Sequence, residues 1–233
     1  MSTPGRGRPR SNPPVRAGRG TQEEILDAAA EFFTTLGFAG TSMAKIAEAV
    51  GVQQNSIYHH FGSKLNLLRT LLFEGVQPGL EMVEAFDSST SANGTDAAAR
   101  LYALTVGDVG VLANWRWNLG ALYLLPEARS PELEPFQEER HKLRLAYKRY
   151  AADVTAAHAT EDSGDLTYRL VVSVINLRWD GLVTPETPEM VGRAVLRLCG
   201  VPTISEELDL RARQVTAAVM PTHLRQWFPQ SWA

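Results

Sequence analysis

Cysteine is nearly absent from this 233-residue chain. The single thiol, Cys199, cannot close an intramolecular disulfide. A reducing, cytoplasmic setting is the simplest expectation. Cys199 lies in an apolar helical pattern, which points to a buried structural thiol. No apolar run approaches the ~20 residues that a membrane helix needs, so no membrane span is expected. The Arg-rich N-terminus is followed by no apolar stretch and does not read as a secretory signal. Strand signatures, internal repeats, Gly-rich phosphate loops and nucleophile elbows are also missing. His59 and His60 are neighbours and diverge by ~100° on a helix, while His141 and His158 stand apart from each other and from Cys199, so no metal-ligand pattern forms. Nothing calls for a cofactor or for catalysis.

With 44% hydrophobic and 21% charged residues, the chain suits a globular protein with a sizeable core. Its net charge is −3, but the charge is uneven. Residues 1–75 hold eight Arg/Lys against six Asp/Glu, a net of +2, and residues 76–233 hold fifteen against twenty, a net of −5. The first twenty residues carry five arginines and no acid. This distribution suggests one end that meets a polyanion and a body that does not.

Residues 1–20, rich in Arg, Gly and Pro, read as a disordered arm. Helical periodicity then starts near Thr21, with Ile25, Ala29, Phe32, Phe33 and Leu36 on one face. Thr21 and Glu24 fit a capping box, and Gly37 fits a left-handed stop. A second helix is expected from about Ser42 to Val50, capped by Thr41, with Met43, Ile46, Ala47 and Val50 inward. Gly51-Val52 makes a turn, and a short third helix covers about Gln53 to His60. Ser63 can cap a fourth helix in which Leu65, Leu68, Leu72 and Val76 share a face, with Pro78-Gly79 expected to interrupt it. The remainder reads as helices separated by breaks at "DSSTSANGTD", Pro126, Pro131, "TEDSG", Pro185, Pro188 and Pro202. The expected fold is all-α: an arm over 1–20, a small domain over 21–75 and a larger helical body over 76–233.

The third helix is unusually polar. In "GVQQNSIYHHFGSK", Val52, Ile57 and Phe61 can face a core, which leaves Gln53, Gln54, Ser56 and His59 outward and Asn55 at the rim. Two short helices joined by a Gly turn follow the helix-turn-helix plan, whose second helix enters the DNA major groove. Glutamine suits that task because its amide can bond adenine N6 and N7 together. The alternative is an ordinary solvated helix face.

Residues 22–72 resemble the DNA-binding domain of the TetR family of transcriptional repressors. The residues that carry the likeness are "ILDAAAEFF", "GF", "TSMAKIAEAVGV" and "SIYHHFGSKLNLL". The resemblance implies that Tyr58 and Lys64 touch phosphates and that Thr41 and Ser42 form a second anchor at a helix N-terminus. Base reading then falls to Gln53, Gln54, Ser56 and His59. The family commonly has Ser where Gln53 stands and Gly or Pro where Asn55 stands. Gln is a poor cap, so the recognition helix can start one residue late. "RGRPR", with Arg6, Arg8 and Arg10, resembles the core of an AT-hook, a unit that lies in the narrow A·T minor groove. A non-specific tether is the plainer reading of the arm.

The body of such a regulator encloses a small-molecule cavity and dimerises. Trp115, Trp117, Tyr123 and Trp179 are the candidate pocket residues, for a small, mainly apolar ligand, with Arg116, Asn118 and Arg178 as possible polar groups. A palindromic DNA operator requires a homodimer, for which the amphipathic segments Leu166–Leu182 and Met190–Leu198 are candidates. The C-terminal "QWFPQSWA" must pack on the body or on a partner subunit. The reading is a ligand-responsive repressor, not an enzyme. The rivals are an architectural DNA-binding protein without a ligand, and a helical carrier or enzyme that does not bind DNA.

Overall fold

The structure is a computed structural model that describes residues 20–88, 97–158 and 164–232. The arm, most of "DSSTSANGTD" and most of "TEDSG" lie outside the described residues. Every regular element described is helical. Contacts divide the chain into two compact units, one ending at Leu68 and the next beginning at Arg69. The division falls inside a helix, upstream of the 75/76 boundary expected from sequence.

The first unit contains α1 (Thr21–Gly40), α2 (Met43–Val50), α3 (Gln54–Phe61) and the start of α4 (Lys64–Asp87). Helix α1 buries Ile25, Ala28, Ala29 and Phe33. The expected capping box does not form. Gly20 occupies the cap position without a side chain to offer, so Thr21 is already inside the helix, and Glu24 is buried. Gly37 does break the helix. At φ 75° it takes a conformation that side chains with a Cβ avoid, and the chain makes one more turn before Thr41. Gly51, at φ 71° and ψ 33°, ends α2 in the left-handed region, with its N–H and that of Val52 closing back onto Glu48 and Ala47 carbonyls. Ile57 and Phe61 anchor α3 to this small core. Ser63 caps α4 by accepting from Asn66 N at 3.1 Å.

Helix α4 was expected to break at Pro78-Gly79 and does not. Proline removes one hydrogen bond and costs ~3 kcal/mol inside a helix. Packing offsets this: Met82 and Phe86, beyond the proline, are fully buried, and Gly79 passes so close to Leu143 that a Cβ there would lie 2.9 Å from Leu143 Cδ2.

The second unit is organised around α5 (Ala97–Asn114), buried without interruption from Leu101 to Leu112. A helix apolar all round is a core helix. Three short 3-10 turns follow, at Leu119–Leu124, Pro126–Arg129 and Pro131–Leu133. Then come α6 (Glu134–His158), α7 (Gly164–Val172), α8 (Val174–Trp179), α9 (Thr187–Leu198), α10 (Glu206–Val219) and α11 (Thr222–Arg225). Helices α6, α7, α8, α9 and α10 all pack on α5. Cys199 is fully buried, as its setting implied.

The C-terminal aromatics pack on the body. Trp227 stacks on Trp115 with ring centroids 5.9 Å apart, Phe228 stacks on Trp232, and Trp232 meets Tyr102. Gly110 permits this docking, because a Cβ there would collide with the Trp227 carbonyl.

Candidate nucleic-acid interface

Helix α3 presents Gln53, Gln54, Asn55, Tyr58, His59 and His60 to solvent, with Ser56 half-buried. The helix begins at Gln54, and Gln53, at the cap position, makes no side-chain cap bond. The amides of Gln53 and Gln54 are therefore not consumed by the helix terminus and remain at its exposed N-terminal end, where recognition helices meet base edges. Tyr58 is 45% exposed, which sets it outside the core, one helical turn beyond Gln54.

The two expected phosphate anchors differ from each other. Ser42 is exposed and caps α2, accepting from Lys45 N at 3.1 Å. Lys45, on the same exposed first turn, was not singled out from sequence; its positive charge adds to the free N–H groups of the helix start, where an anion is favoured. Thr41 does not cap. It is buried, and its hydroxyl donates to Gly37 O at 2.8 Å.

Lys64 has a structural role that the sequence does not reveal. Its Nζ donates to Phe38 O and Thr41 O, both at 2.8 Å, and lies 4.1 Å from the centre of the Phe38 ring. The ammonium thereby ties the start of α4 to the end of α1. Two of its three N–H bonds are used, which leaves one for a phosphate. Arg6, Arg8 and Arg10 lie outside the described residues.

In the second unit, the expected aromatic pocket residues do not gather around one cavity. Trp179 is 69% exposed. Trp115 faces Trp227, and the gap beside it measures about 10 Å³, close to the limit for a single water. Trp117 lies under the Arg116 guanidinium, 5.0 Å away. Arg178 donates to the Leu112 and Trp115 carbonyls at the end of α5 and Asn118 donates to Ile175 O, so both are structural.

Tyr123 alone meets a substantial cleft, of about 210 Å³, between the 126–129 turn, α6 and α7. Arg129, Arg140, Arg144 and Arg169 line it, with His141, Tyr168 and Phe136. Tyr123 and Tyr168 are buried, and burial pushes both phenols above their ordinary pKa, so they stay neutral. Arg140 bridges them: its Nε donates to Tyr168 Oη at 3.4 Å and its guanidinium sits 5.0 Å from the Tyr123 ring. Among the described residues no group of His, Cys, Asp and Glu is placed to hold a metal, and no helix is long and apolar enough to cross a membrane.

Comparison with known proteins agrees with this geometry. Residues 25–71 match the bacterial regulatory proteins of the tetR family. The chain is 40% identical over 53 residues to the HTH-type transcriptional repressor KstR2 of Rhodococcus jostii, a match that takes in 23% of this chain and 26% of the relative. It is 42% identical over 52 residues to the HTH-type transcriptional regulator TtgR of Pseudomonas putida, over 22% of this chain and 25% of that protein. The match thus spans about a quarter of these curated relatives' length, at the end that carries the helix-turn-helix. A solved structure, AmtR of Mycobacterium smegmatis, is similar at 43% identity and a TM-score of 0.81, covering 90% of this chain and all of that one. The ketosteroid transcriptional regulator KstR2 of Mycobacterium tuberculosis shares the fold at 21% identity, with a TM-score of 0.61 over 78% of this chain and 94% of that one. A helix-turn-helix with an open polar recognition helix, followed by an α5-centred body that matches such a regulator along its whole length, places the chain in the TetR family of transcriptional regulators.

Proposed function

We propose that the chain is a homodimeric repressor that binds a palindromic operator and releases it when a small molecule occupies the body. The observation that carries the DNA half is the exposed face of α3, whose Gln53, Gln54, Tyr58 and His59 are held outward by a buried Ile57 and Phe61. In this reading Gln53, Gln54, Ser56 and His59 read base edges, while Tyr58, Ser42, Lys45 and the remaining Lys64 N–H hold phosphates. The arm arginines add affinity through counterion release and, over A·T-rich flanks, through the minor groove.

The dimer reading rests on unburied apolar side chains. Leu166, Trp179, Leu182 and Met190 are each more than half exposed, and they lie on or beside α7, α8 and α9. Such a surface in one chain is a natural seat for its mate. Operator-binding sites selected from a random duplex library with the full chain test both statements. The expected product is an inverted repeat whose half-sites lie about one helical turn, or a multiple of it, apart. A selection that yields no sequence, or a single unrepeated half-site bound by a monomer, overturns the reading in favour of an architectural protein.

A further inference from the structure

The cleft between α6, α7 and the 126–129 turn carries positive charge without its complement. Arg129, Arg140, Arg144 and Arg169 line it and no Asp or Glu does. Among the described residues, none of the four forms an ion pair with a carboxylate. Arg144 Nε is buried with no hydrogen-bond partner in the protein. Arg144 Nη2 lies 2.9 Å from His141 Nδ1; if the guanidinium donates there, the imidazole proton sits on Nε2 as a further donor. Like charges gathered at one site repel, and burial of a guanidinium N–H without an acceptor costs free energy. An anion relieves both.

We propose that this cleft is the effector site and that it binds a small polyanion, a compound with two or more carboxylate or phosphate groups. The inference rests on the effector-responsive reading above and replaces the apolar ligand expected from the tryptophans. Guanidinium groups suit carboxylate and phosphate because each presents two parallel N–H bonds to two oxygens. A single carboxylate would leave several arginines unmatched, whereas a polyanion engages them together. The cleft, about 210 Å³, has room for a compact metabolite. The Tyr123 and Phe136 rings form its apolar wall.

That wall also touches the helix that runs on from the DNA-binding unit. Phe136 meets Phe73 of α4 edge to face at 6.3 Å. Tyr123 lies so close to Gly75 of α4 that a Cβ there would come within 2.7 Å of its hydroxyl. A ligand that moves Tyr123 or Phe136 therefore acts on α4.

The test uses the full chain, the selected operator and three probes at fixed ionic strength: tricarballylate, inorganic pyrophosphate and, as neutral control, butanol. Calorimetry measures binding to wild type and to R129Q/R169Q, two exposed positions that leave the core intact, with circular dichroism as the check on folding. The inference expects wild type to bind at least one of the two anions, butanol not at all, and the folded double variant at least tenfold more weakly. Preference for tricarballylate or for pyrophosphate tells whether the natural ligand carries carboxylates or phosphates. If neither anion binds, or both proteins respond equally, the polyanion site is refuted. The same holds if R129Q/R169Q loses operator affinity without any anion, because the arginines are then DNA contacts. Anion binding that leaves operator affinity unchanged keeps the site but refutes its effector role, while the repressor reading still stands on the operator selection.

Discussion

Asp108 offers a quantitative check on the body. It sits in the middle of α5, 4% exposed, and Tyr147 Oη donates to its Oδ2 at 3.0 Å. Burial pushes its pKa from 3.8 to about 6, against the opposing pull of the Tyr147 hydrogen bond. Between pH ~4 and ~6 the folded chain therefore holds a proton that the unfolded chain releases, so stability falls as pH rises through this window. A difference of about two pKa units corresponds to ~3 kcal/mol. Asp108→Asn keeps an oxygen for Tyr147 and removes the ionisation. The variant is expected to be more stable than wild type at pH 7.5 by up to ~3 kcal/mol, or about 6–12 °C in Tm for a chain of this size. The advantage should shrink to nothing near pH 4, where the wild-type carboxyl is protonated. Tryptophan fluorescence is the right probe, because Trp115, Trp117, Trp179, Trp227 and Trp232 all belong to the second unit. A variant-minus-wild-type difference that stays flat from pH 4 to 7.5, or a variant less stable throughout, would refute the assignment of a buried, reluctantly ionised Asp108.

Other expectations concern the DNA-binding unit and the C-terminus. Lys64→Met removes two charged hydrogen bonds, worth about 1.5–3 kcal/mol each at most. It should lower the thermal stability of the first unit by circular dichroism and weaken every DNA sequence alike; unchanged stability would mean that the ammonium serves phosphates alone. Gln54→Ala should cost about 1–3 kcal/mol on the selected operator and relax preference at one base pair in a panel of single-base variants. Gly110→Ala forces the Trp227 carbonyl away from α5, at about 1–3 kcal/mol. The Trp115–Trp227 stack should open and shift tryptophan emission to the red, and emission identical to wild type would show that the C-terminal segment does not depend on that glycine.

The DNA-binding unit was legible because local signals there agree with tertiary structure. The 3.6-residue period put Met43, Ile46, Ala47 and Val50 inward, and the left-handed Gly51 and the Ser63 cap fix the helix boundaries. Legibility failed where a side chain has two local outlets or a distant neighbour decides. Thr41 reads as a cap, yet its hydroxyl turns back to Gly37 and Ser42 caps in its place. Pro78 reads as a break, yet the buried Met82 and Phe86 carry α4 through it. Trp115 and Trp117 are close in sequence, but the chain leaves α5 between Asn114 and Leu119 and sends Trp115 to the C-terminus instead of to a pocket. The arginine cleft was the least visible feature. On α6, Arg140 and Arg144 look like an ordinary solvated stripe, because "EERHKLR" mixes both charges. Their partners Arg129 and Arg169 arrive from separate elements, and only folding leaves the acids outside the ring.

The start of α4 gives that cleft its importance. The helix begins in the DNA-binding unit, passes the division at Leu68, and meets the cleft wall before it reaches Pro78. Phe73 and Gly75, which meet the cleft wall, lie within two turns of the division at Leu68, and Arg69 at that division donates to Glu132 O at 2.7 Å. The segment from Leu119 to Leu133 thus supplies both the cleft's Tyr123 and Arg129 and a direct hydrogen bond to the first residue of the body. A ligand drawn in by the arginines can shift the DNA-binding equilibrium only by as much as its affinity differs between two settings of this segment. Reciprocity follows: whatever factor the anion takes from operator affinity, the operator must take from anion affinity.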